Sequence, residues 1–249
     1  MRGRTLAIAG IAAYAAFLVA MVPARWLAAR LEAEPGRYTL HDVEGTLWHG
    51  SAKALVTAPG GSLVVDRVEW DFMPTRLAQG RLAFAIKLRG AGFDAAYEGS
   101  RSLGGWGARD LAVRADAALA AAALPLIARW RPEGIVTVQS PSIDVSGSEV
   151  RGNLRIELKG AATALSAVKP LGSYRVEISG EGASGKLALT TLEGPLRLAG
   201  QGRVEWPSRF TFTGEARGEG PGAGALEPLL QMLGPARPDG ARALDWQLR

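Results

Sequence analysis

From Tyr38 onward, apolar residues occupy every second position in one short segment after another. In the segment 82–88, Leu, Phe, Ile and Leu alternate with Ala and Lys. A period of two puts alternate side chains on opposite faces of a β-strand, and one apolar face with one polar face is typical of antiparallel sheets. The same alternation occurs at 154–158, 174–178, 196–198 and 210–212. Glycine-containing turns separate these segments, so we predict about a dozen strands between Tyr38 and Leu248.

The predicted fold class is therefore mainly β, with a curved, mostly antiparallel sheet. Two stretches have helical composition instead, at 116–130 and 225–233. The first is rich in Ala and Leu, with Asp116 as a candidate N-cap and Pro125 as a point where the helix would bend or restart. The second ends before Gly234, a common helix stop. We expect these one or two short helices to cover part of the apolar sheet face.

An uncharged run of 17 residues, from Leu6 to Val22, precedes the alternating region. As a helix it would be about 26 Å long, close to the ~30 Å hydrocarbon core of a membrane. Arg2 and Arg4 lie before it, and the excess of basic residues on the cytoplasmic side predicts that the N-terminus is inside.

The resulting prediction is a cell inner-membrane protein with a single membrane pass. Its parts would be a cytoplasmic tail at 1–5, a transmembrane helix at 6–22, a juxtamembrane stalk at 23–35 and a periplasmic β-rich domain at 36–249. The alternative is a cleaved signal peptide, because Val22-Pro23-Ala24 has the small residues that a signal peptidase prefers. Both alternatives put the β-rich domain in the periplasm.

Composition argues against several classes of function. The chain has no cysteine, which excludes disulfides, thiolate metal sites and a cysteine nucleophile. Its net charge of +5 includes no run of basic residues interleaved with aromatics, so we expect no nucleic-acid partner. His41 and His49 are the only histidines, and no H-E-x-x-H or G-x-S-x-G motif is present. We therefore predict no enzyme activity, no catalytic residues, no metal and no cofactor.

One glycine-rich stretch resembles a phosphate-binding loop. Residues 180–186 match both G-x-G-x-x-G and the first part of G-x-x-x-x-G-K. A phosphate site needs a helix after the glycines, and a P-loop needs Ser or Thr after the lysine. Here Leu187 follows Lys186, and the next residues alternate like a strand. We therefore predict a hairpin turn and no nucleotide binding.

A second motif lies near the start of the β-rich region. Gly45 and Gly50 flank Trp48 in the pattern G-x-x-W-x-G, and Trp70 and Pro74 follow as W-x-x-x-P. We expect the glycines to bracket a strand and the two tryptophans to pack on one face. These tryptophans would be either core residues or part of a surface that contacts a partner or lipid.

The order of a membrane helix, the G-x-x-W-x-G motif and the W-x-x-x-P motif resembles the type II secretion system protein N family (general secretion pathway protein N). Further short matches follow in the expected order, at 171–174, 194–196, 210–214, 229–234 and 238–240. The resemblance implies an inner-membrane accessory component that aids export of folded proteins from the periplasm across the outer membrane.

The resemblance further implies that other type II secretion components are the partners and that no catalytic residue is carried over. Gly45, Trp48, Gly50, Trp70 and Pro74 would be structural or partner-contact positions. The chain is also similar to AsmA-like β-rich envelope proteins, which are associated with lipid handling. A periplasmic lipid-binding or lipid-transfer protein is therefore the alternative function.

Overall fold

A computed structural model describes residues 14, 17–18, 20–26, 38–58, 61–123, 130–206, 209–220 and 222–248. In this part of the chain, thirteen strands form one antiparallel sheet in which each strand pairs with its neighbours in sequence. The strands are β1 Tyr38–Gly45, β2 His49–Ala58, β3 Gly61–Phe72, β4 Leu82–Gly90, β5 Phe93–Ser102, β6 Gly105–Asp116, β7 Pro132–Ser146, β8 Glu149–Thr163, β9 Gly172–Gly182, β10 Ser184–Glu193, β11 Leu196–Glu205, β12 Arg209–Gly218 and β13 Arg242–Leu248. The predicted fold class is confirmed as mainly β and antiparallel.

Because consecutive strands run in opposite directions, their connections alternate between two ends of the sheet. We call the end that contains the β1–β2 turn the motif end. The opposite end, called the helix end, carries both short α-helices, α1 Ala117–Ala123 and α2 Glu227–Leu233. Half of the twelve strand pairings contain a register irregularity, at which a strand bends.

The predicted alternation produces one apolar face that continues across the sheet. In β3 and β4, for example, Trp70 lies opposite Ile86 and Phe72 opposite Phe84, and in β8 and β9 Ile156 lies opposite Val176. On the other face, oppositely charged side chains pair across strands, as in Arg155 with Glu177 at 3.1 Å. The sheet therefore has one apolar face and one face with paired charges.

The most deeply buried cluster lies where α2 covers the apolar face at the helix end. Its buried members are Leu171, Leu196, Phe212, Ala216, Leu226, Leu229, Leu230 and Leu244. A 3₁₀ turn at Ala223–Leu226 leads into α2, and the helix ends before Gly234, as the sequence predicts. Burial of this leucine-rich surface anchors β11–β13 to α2.

The first predicted helix begins where the sequence indicates. Asp116 is the last residue of β6 and directly precedes α1, at the N-cap position, and its main-chain N–H donates to the oxygen of Gly92 at 2.8 Å. The helix α1 follows directly and buries Ala117 and Ala121. The rest of the predicted stretch, including Pro125, lies outside the described residues.

A 3₁₀ helix at Pro74–Gln79, absent from the prediction, packs beside the polar face at the motif end. Arg76, within it, donates to the Glu98 carboxylate in β5 at 2.8 Å. Nearby, Ala83 is fully buried although it belongs to the polar face of β4. Because the 3₁₀ helix covers the polar face of β4 at this point, a small residue such as Ala83 fits beneath it.

The predicted transmembrane helix, 6–22, falls mainly outside the described residues. Residues 14, 17, 18, 20 and 24–26 are helical. Among the described helices, none combines the length and apolar character needed to cross a bilayer.

Candidate functional site

The G-x-x-W-x-G motif forms the turn of the β1–β2 hairpin. Gly45 ends β1 and pairs with Gly50 in β2, so residues 46–48 connect the strands. The prediction that the glycines bracket a strand is therefore wrong. Thr46 organises the turn: its hydroxyl accepts hydrogen bonds from the main-chain N–H groups of Trp48 and His49, at 3.3 and 3.2 Å.

Steric limits explain both glycines of the motif. Gly45 has a φ of 86°, in the left-handed region, and a Cβ there would lie 2.4 Å from the oxygen of His49. At Gly50 a Cβ would lie 2.5 Å from the Trp70 ring and 2.5 Å from the oxygen of Glu44. No real Cβ approaches main-chain atoms so closely, so a side chain at either position would force the hairpin to shift.

Both tryptophans contact the apolar face that carries Phe72, as the sequence predicts. Trp70 lies against Gly50 and donates its indole N–H to the Thr46 oxygen at 3.2 Å. Trp48 packs on Phe72, with ring centroids 4.8 Å apart, and Phe72 packs on Phe84 at 5.5 Å. The motif end thus carries a half-buried aromatic cluster that links the β1–β2 turn to β3 and β4.

Pro74 is exposed and has a local role. It begins the 3₁₀ helix that follows β3, where a proline costs no hydrogen bond because the first N–H groups have no partner within the helix. Gly80 ends the same helix in the left-handed conformation, with a φ of 67°. This proline and glycine were the signal in the sequence for a helix that alternation alone did not predict.

The N-terminal segment joins the sheet at the same turn. The N–H of Leu47 donates to the oxygen of Val22 at 2.9 Å, and Pro23 bridges to Thr46 in an antiparallel geometry. Ala24 is buried, whereas Trp26 is three-quarters exposed. The turn is therefore a docking point for residues 22–24, a role that sequence reasoning missed because the two segments lie far apart in the chain.

The electrostatics of this end involve exposed pairs. The His49 ring contacts the Asp71 carboxylate across β2 and β3, and both side chains are more than half exposed. Arg67 lowers the pKa of Glu69 by donating a hydrogen bond to its carboxylate. In the described residues, no group of three or more His, Asp and Glu has the arrangement of a metal site.

Comparison with protein families decides the assignment. The family model for type II secretion system protein N matches residues 36–245. The chain belongs to the type II secretion system protein N family. No curated protein and no solved structure matched it.

In this protein N family member, the matched region begins just before β1 and ends within β13. It therefore contains nearly the whole sheet and all five motif residues. The structure brings Gly45, Trp48, Gly50 and Trp70 together around one turn, whereas Pro74 is exposed in the 3₁₀ helix that follows β3. Family membership makes the chain a component of a type II secretion system.

The glycine-rich stretch at 180–186 is a hairpin turn, as predicted. Gly180 in β9 pairs with Gly185 in β10, and Lys186 lies within β10. The Lys186 ammonium group pairs with Glu181 at 3.4 Å. A strand follows the glycines, so the stretch does not present the helix N-terminus that phosphate binding requires.

A shallow groove of about 1120 Å³ crosses β6–β11 of the protein N sheet. Polar and charged side chains line much of it, including Gln139, Asn153 and Gln201. Two of its charged residues, Arg155 and Glu177, neutralise each other at 3.1 Å. Asp110, Lys186 and Arg203 also line the groove, so its lining carries charges of both signs.

Proposed function

We propose that this protein N family member is a single-pass inner-membrane accessory subunit of the type II secretion system. Its sheet lies in the periplasm and acts through protein contacts without catalysing a reaction. The observation that carries the proposal is the hydrogen-bonded junction between Val22 and the β1–β2 turn, considered together with family membership. Through this junction a membrane segment would hold the sheet in a defined orientation rather than as a loosely tethered domain.

Sequence and side-chain exposure support the membrane segment. Two arginines precede the uncharged run from Leu6 to Val22. Five large apolar side chains in and just after this run are at least half exposed: Tyr14, Phe17, Leu18, Met21 and Trp26. Exposed apolar side chains in sequence proximity are costly in water but stable in lipid. In this proposal the motif end of the sheet faces the membrane.

Topology is tested with single cysteines, which the chain permits because it has none of its own. Leu103, in the β5–β6 turn, is fully exposed, so Leu103→Cys provides a reactive thiol. A membrane-impermeant maleimide should label this variant once the outer membrane is permeabilised. Labelling only after lysis of the inner membrane would contradict a periplasmic sheet. N-terminal sequencing of the same protein decides between a retained helix and a cleaved signal peptide.

Function is tested by deleting the gene and following a secreted enzyme. We expect the enzyme to accumulate in the periplasm or to be exported more slowly, with outer-membrane lipid asymmetry unchanged. Restoring the full chain provides the control. Normal export in the deletion strain would contradict the accessory role.

A second candidate function, lipid binding, is favoured by the uncovered part of the apolar face. The helix α2 covers this face only at the helix end, whereas Leu82, Trp106 and Trp246 are 43–50% exposed. Monomeric proteins seldom expose large apolar patches without a binding role. If this function holds, protein purified in mild detergent should carry stoichiometric phospholipid in mass spectrometry. Bound lipid together with normal export in the deletion strain would favour it over protein contacts.

A further inference from the structure

The sheet has two edge strands, β1 and β13, and they differ in how they are protected. In β1 the register shifts between His41 and Glu44, and Asp42 adopts a φ of 52°. Lys53 pairs with Asp42 at 2.7 Å beside this bulge. Bulges and charged residues are common devices that prevent an edge strand from pairing with another chain.

In contrast, β13 is regular. It pairs with β12 over seven consecutive residues without a shift, from Arg242 opposite Ala216 to Leu248 opposite Phe210. It contains no proline and no lysine, and its charged residues are Arg242, at the covered start of the strand, and Asp245. On the apolar face, Trp246 packs on Phe212 of the neighbouring strand β12, with ring centroids 5.5 Å apart.

The outer side of β13 is covered only at its start. The N–H of Ala243 points outward and donates to the oxygen of Pro235 at 3.0 Å, and Ala236 bridges to Arg242. Main-chain groups alternate in direction along a strand, so the N–H and C=O groups of Asp245 and Gln247 also point outward. Within the described part of the chain, nothing pairs with these groups on that side.

We propose that the outer edge of β13, at Asp245–Gln247, accepts an antiparallel strand from a second single-pass secretion component anchored in the same membrane. The inference rests on the proposed function, which supplies the membrane and the family of partners. Addition of a strand to an open edge uses main-chain hydrogen bonds for affinity and alternate side chains for specificity.

Strand direction identifies the kind of segment that fits. The strand β13 runs from the helix end to the motif end, where residues 22–24 dock on the β1–β2 turn. An antiparallel partner strand runs the opposite way, from the motif end outward. That is the direction taken by a periplasmic linker as it leaves a membrane helix.

The same direction argues against a second copy of this chain as the occupant. Antiparallel pairing of β13 with β13 would turn the motif end of the second copy away from the membrane. Its N-terminal segment would then point in the wrong direction for insertion into the same bilayer.

Side chains beside the edge define the chemistry of the partner strand. It needs an apolar residue next to Trp246 and a basic or hydroxyl residue opposite Asp245, with no proline at the paired positions. In such a segment apolar and polar residues alternate, as they do in the strands of this sheet.

The test uses the full chain in lipid nanodiscs with fluorescent synthetic peptides as probes. Each peptide contains about twelve residues that follow the membrane helix of one single-pass component of the same secretion apparatus, enough for one strand. The key variant is Gln247→Pro, which removes an outward N–H while the bonds of β12 to β13 remain. The matched control, Gln247→Ala, keeps that N–H.

We expect one peptide to bind wild type and Gln247→Ala equally, and Gln247→Pro about tenfold more weakly, equal to about 1.4 kcal/mol. The amides of Asp245 and Gln247 should exchange more slowly with deuterium when that peptide is bound. Absence of binding by every peptide, or equal binding by the proline variant, would overturn the inference.

Three further outcomes are informative. If Gln247→Pro does not fold, hydrogen exchange on the wild type decides, because binding without protection at Asp245 and Gln247 contradicts edge pairing. Self-association through this edge, detected by sedimentation, would identify a second copy as the occupant and overturn the proposal. If deletion of the gene blocks export but Gln247→Pro exports normally, only this inference fails and the proposed function stands.

Discussion

The indole N–H of Trp70 donates a hydrogen bond at 3.2 Å to the main-chain oxygen of Thr46, 24 residues earlier in the chain. Thr46 is also the residue that Pro23 bridges. One tryptophan in β3 therefore fixes the turn on which the N-terminal segment docks. This hydrogen bond explains why Trp70 belongs to the family motif. It also stabilises the turn through which Pro23 connects to the sheet.

The first prediction concerns Gly50, whose missing side chain leaves room for the Trp70 ring. Gly50→Ala should destabilise the protein by about 1–3 kcal/mol, the usual cost of inserting a group into a packed site. Urea unfolding followed by tryptophan fluorescence measures this. Gly104→Ala is the control and should have little effect, since a Cβ at position 104 would come no closer than 4.0 Å to the Ser102 hydroxyl, an ordinary van der Waals contact. Equal stability of the two variants would contradict the packing described for the motif.

The second prediction concerns Tyr174, which is buried and donates its hydroxyl to the oxygen of Leu196 at 3.0 Å. Tyr174→Phe should cost about 1 kcal/mol, the typical net value of one hydrogen bond. Burial raises the pKa of Tyr174 above its ordinary value of 10.0. The unfolded chain therefore loses this proton first, and the stability of the wild type should fall as the pH rises above 10.

In Tyr174→Phe, this alkaline loss of stability should be smaller, although Tyr97, whose pKa burial also raises, still contributes. Thermal unfolding between pH 8 and 11 is the measurement. Identical alkaline slopes for the wild type and the variant would show that Tyr174 does not titrate as its burial implies.

The third prediction concerns Glu157 in β8, which accepts a hydrogen bond from Arg175 in β9 at 2.8 Å. This hydrogen bond lowers the pKa of Glu157 from its ordinary value of 4.5. The pair therefore stabilises the fold above pH 4.5, and this contribution disappears as the pH falls through the lowered pKa. Glu157→Gln should cost up to about 1 kcal/mol at neutral pH, because the pair lies near the surface.

Urea unfolding of this variant at neutral and strongly acidic pH checks the expectation, since the difference from wild type should vanish in acid. Glu177→Gln serves as a comparison, because the Arg155–Glu177 pair is about half exposed and should contribute less. A larger effect at Glu177 than at Glu157 would contradict this ranking.

The fourth prediction concerns nucleotides. The hairpin geometry of residues 180–186 predicts that Mg-ATP and NAD do not bind, because β10 follows the glycines where a phosphate site requires a helix. Isothermal titration calorimetry on the full chain in detergent measures this. Micromolar binding that is lost in Lys186→Ala would show that the hairpin has a second, phosphate-binding conformation.

The sequence by itself determined the class of fold. Alternation in segments such as 82–88 is a local property: a period of two gives a strand with two unlike faces whatever its neighbours are. Turn glycines and the stop signal at Gly234 are equally local, and they located the 180–186 hairpin and the end of α2. The order of the membrane segment, the G-x-x-W-x-G and W-x-x-x-P motifs and the short matches downstream indicated the family.

Only the tertiary structure decided how those motifs are used. Residues 46–48 form a turn, not a strand, because Gly45 and Gly50 pair with each other and Trp70 bonds to Thr46. Asp116 belongs to a strand because Gly92 accepts its N–H. The docking of Val22 on Leu47 and the open edge of β13 likewise depend on contacts between residues distant in sequence. A local pattern carries no information about such contacts, because the free energy that selects them arises from packing and pairing across the finished sheet.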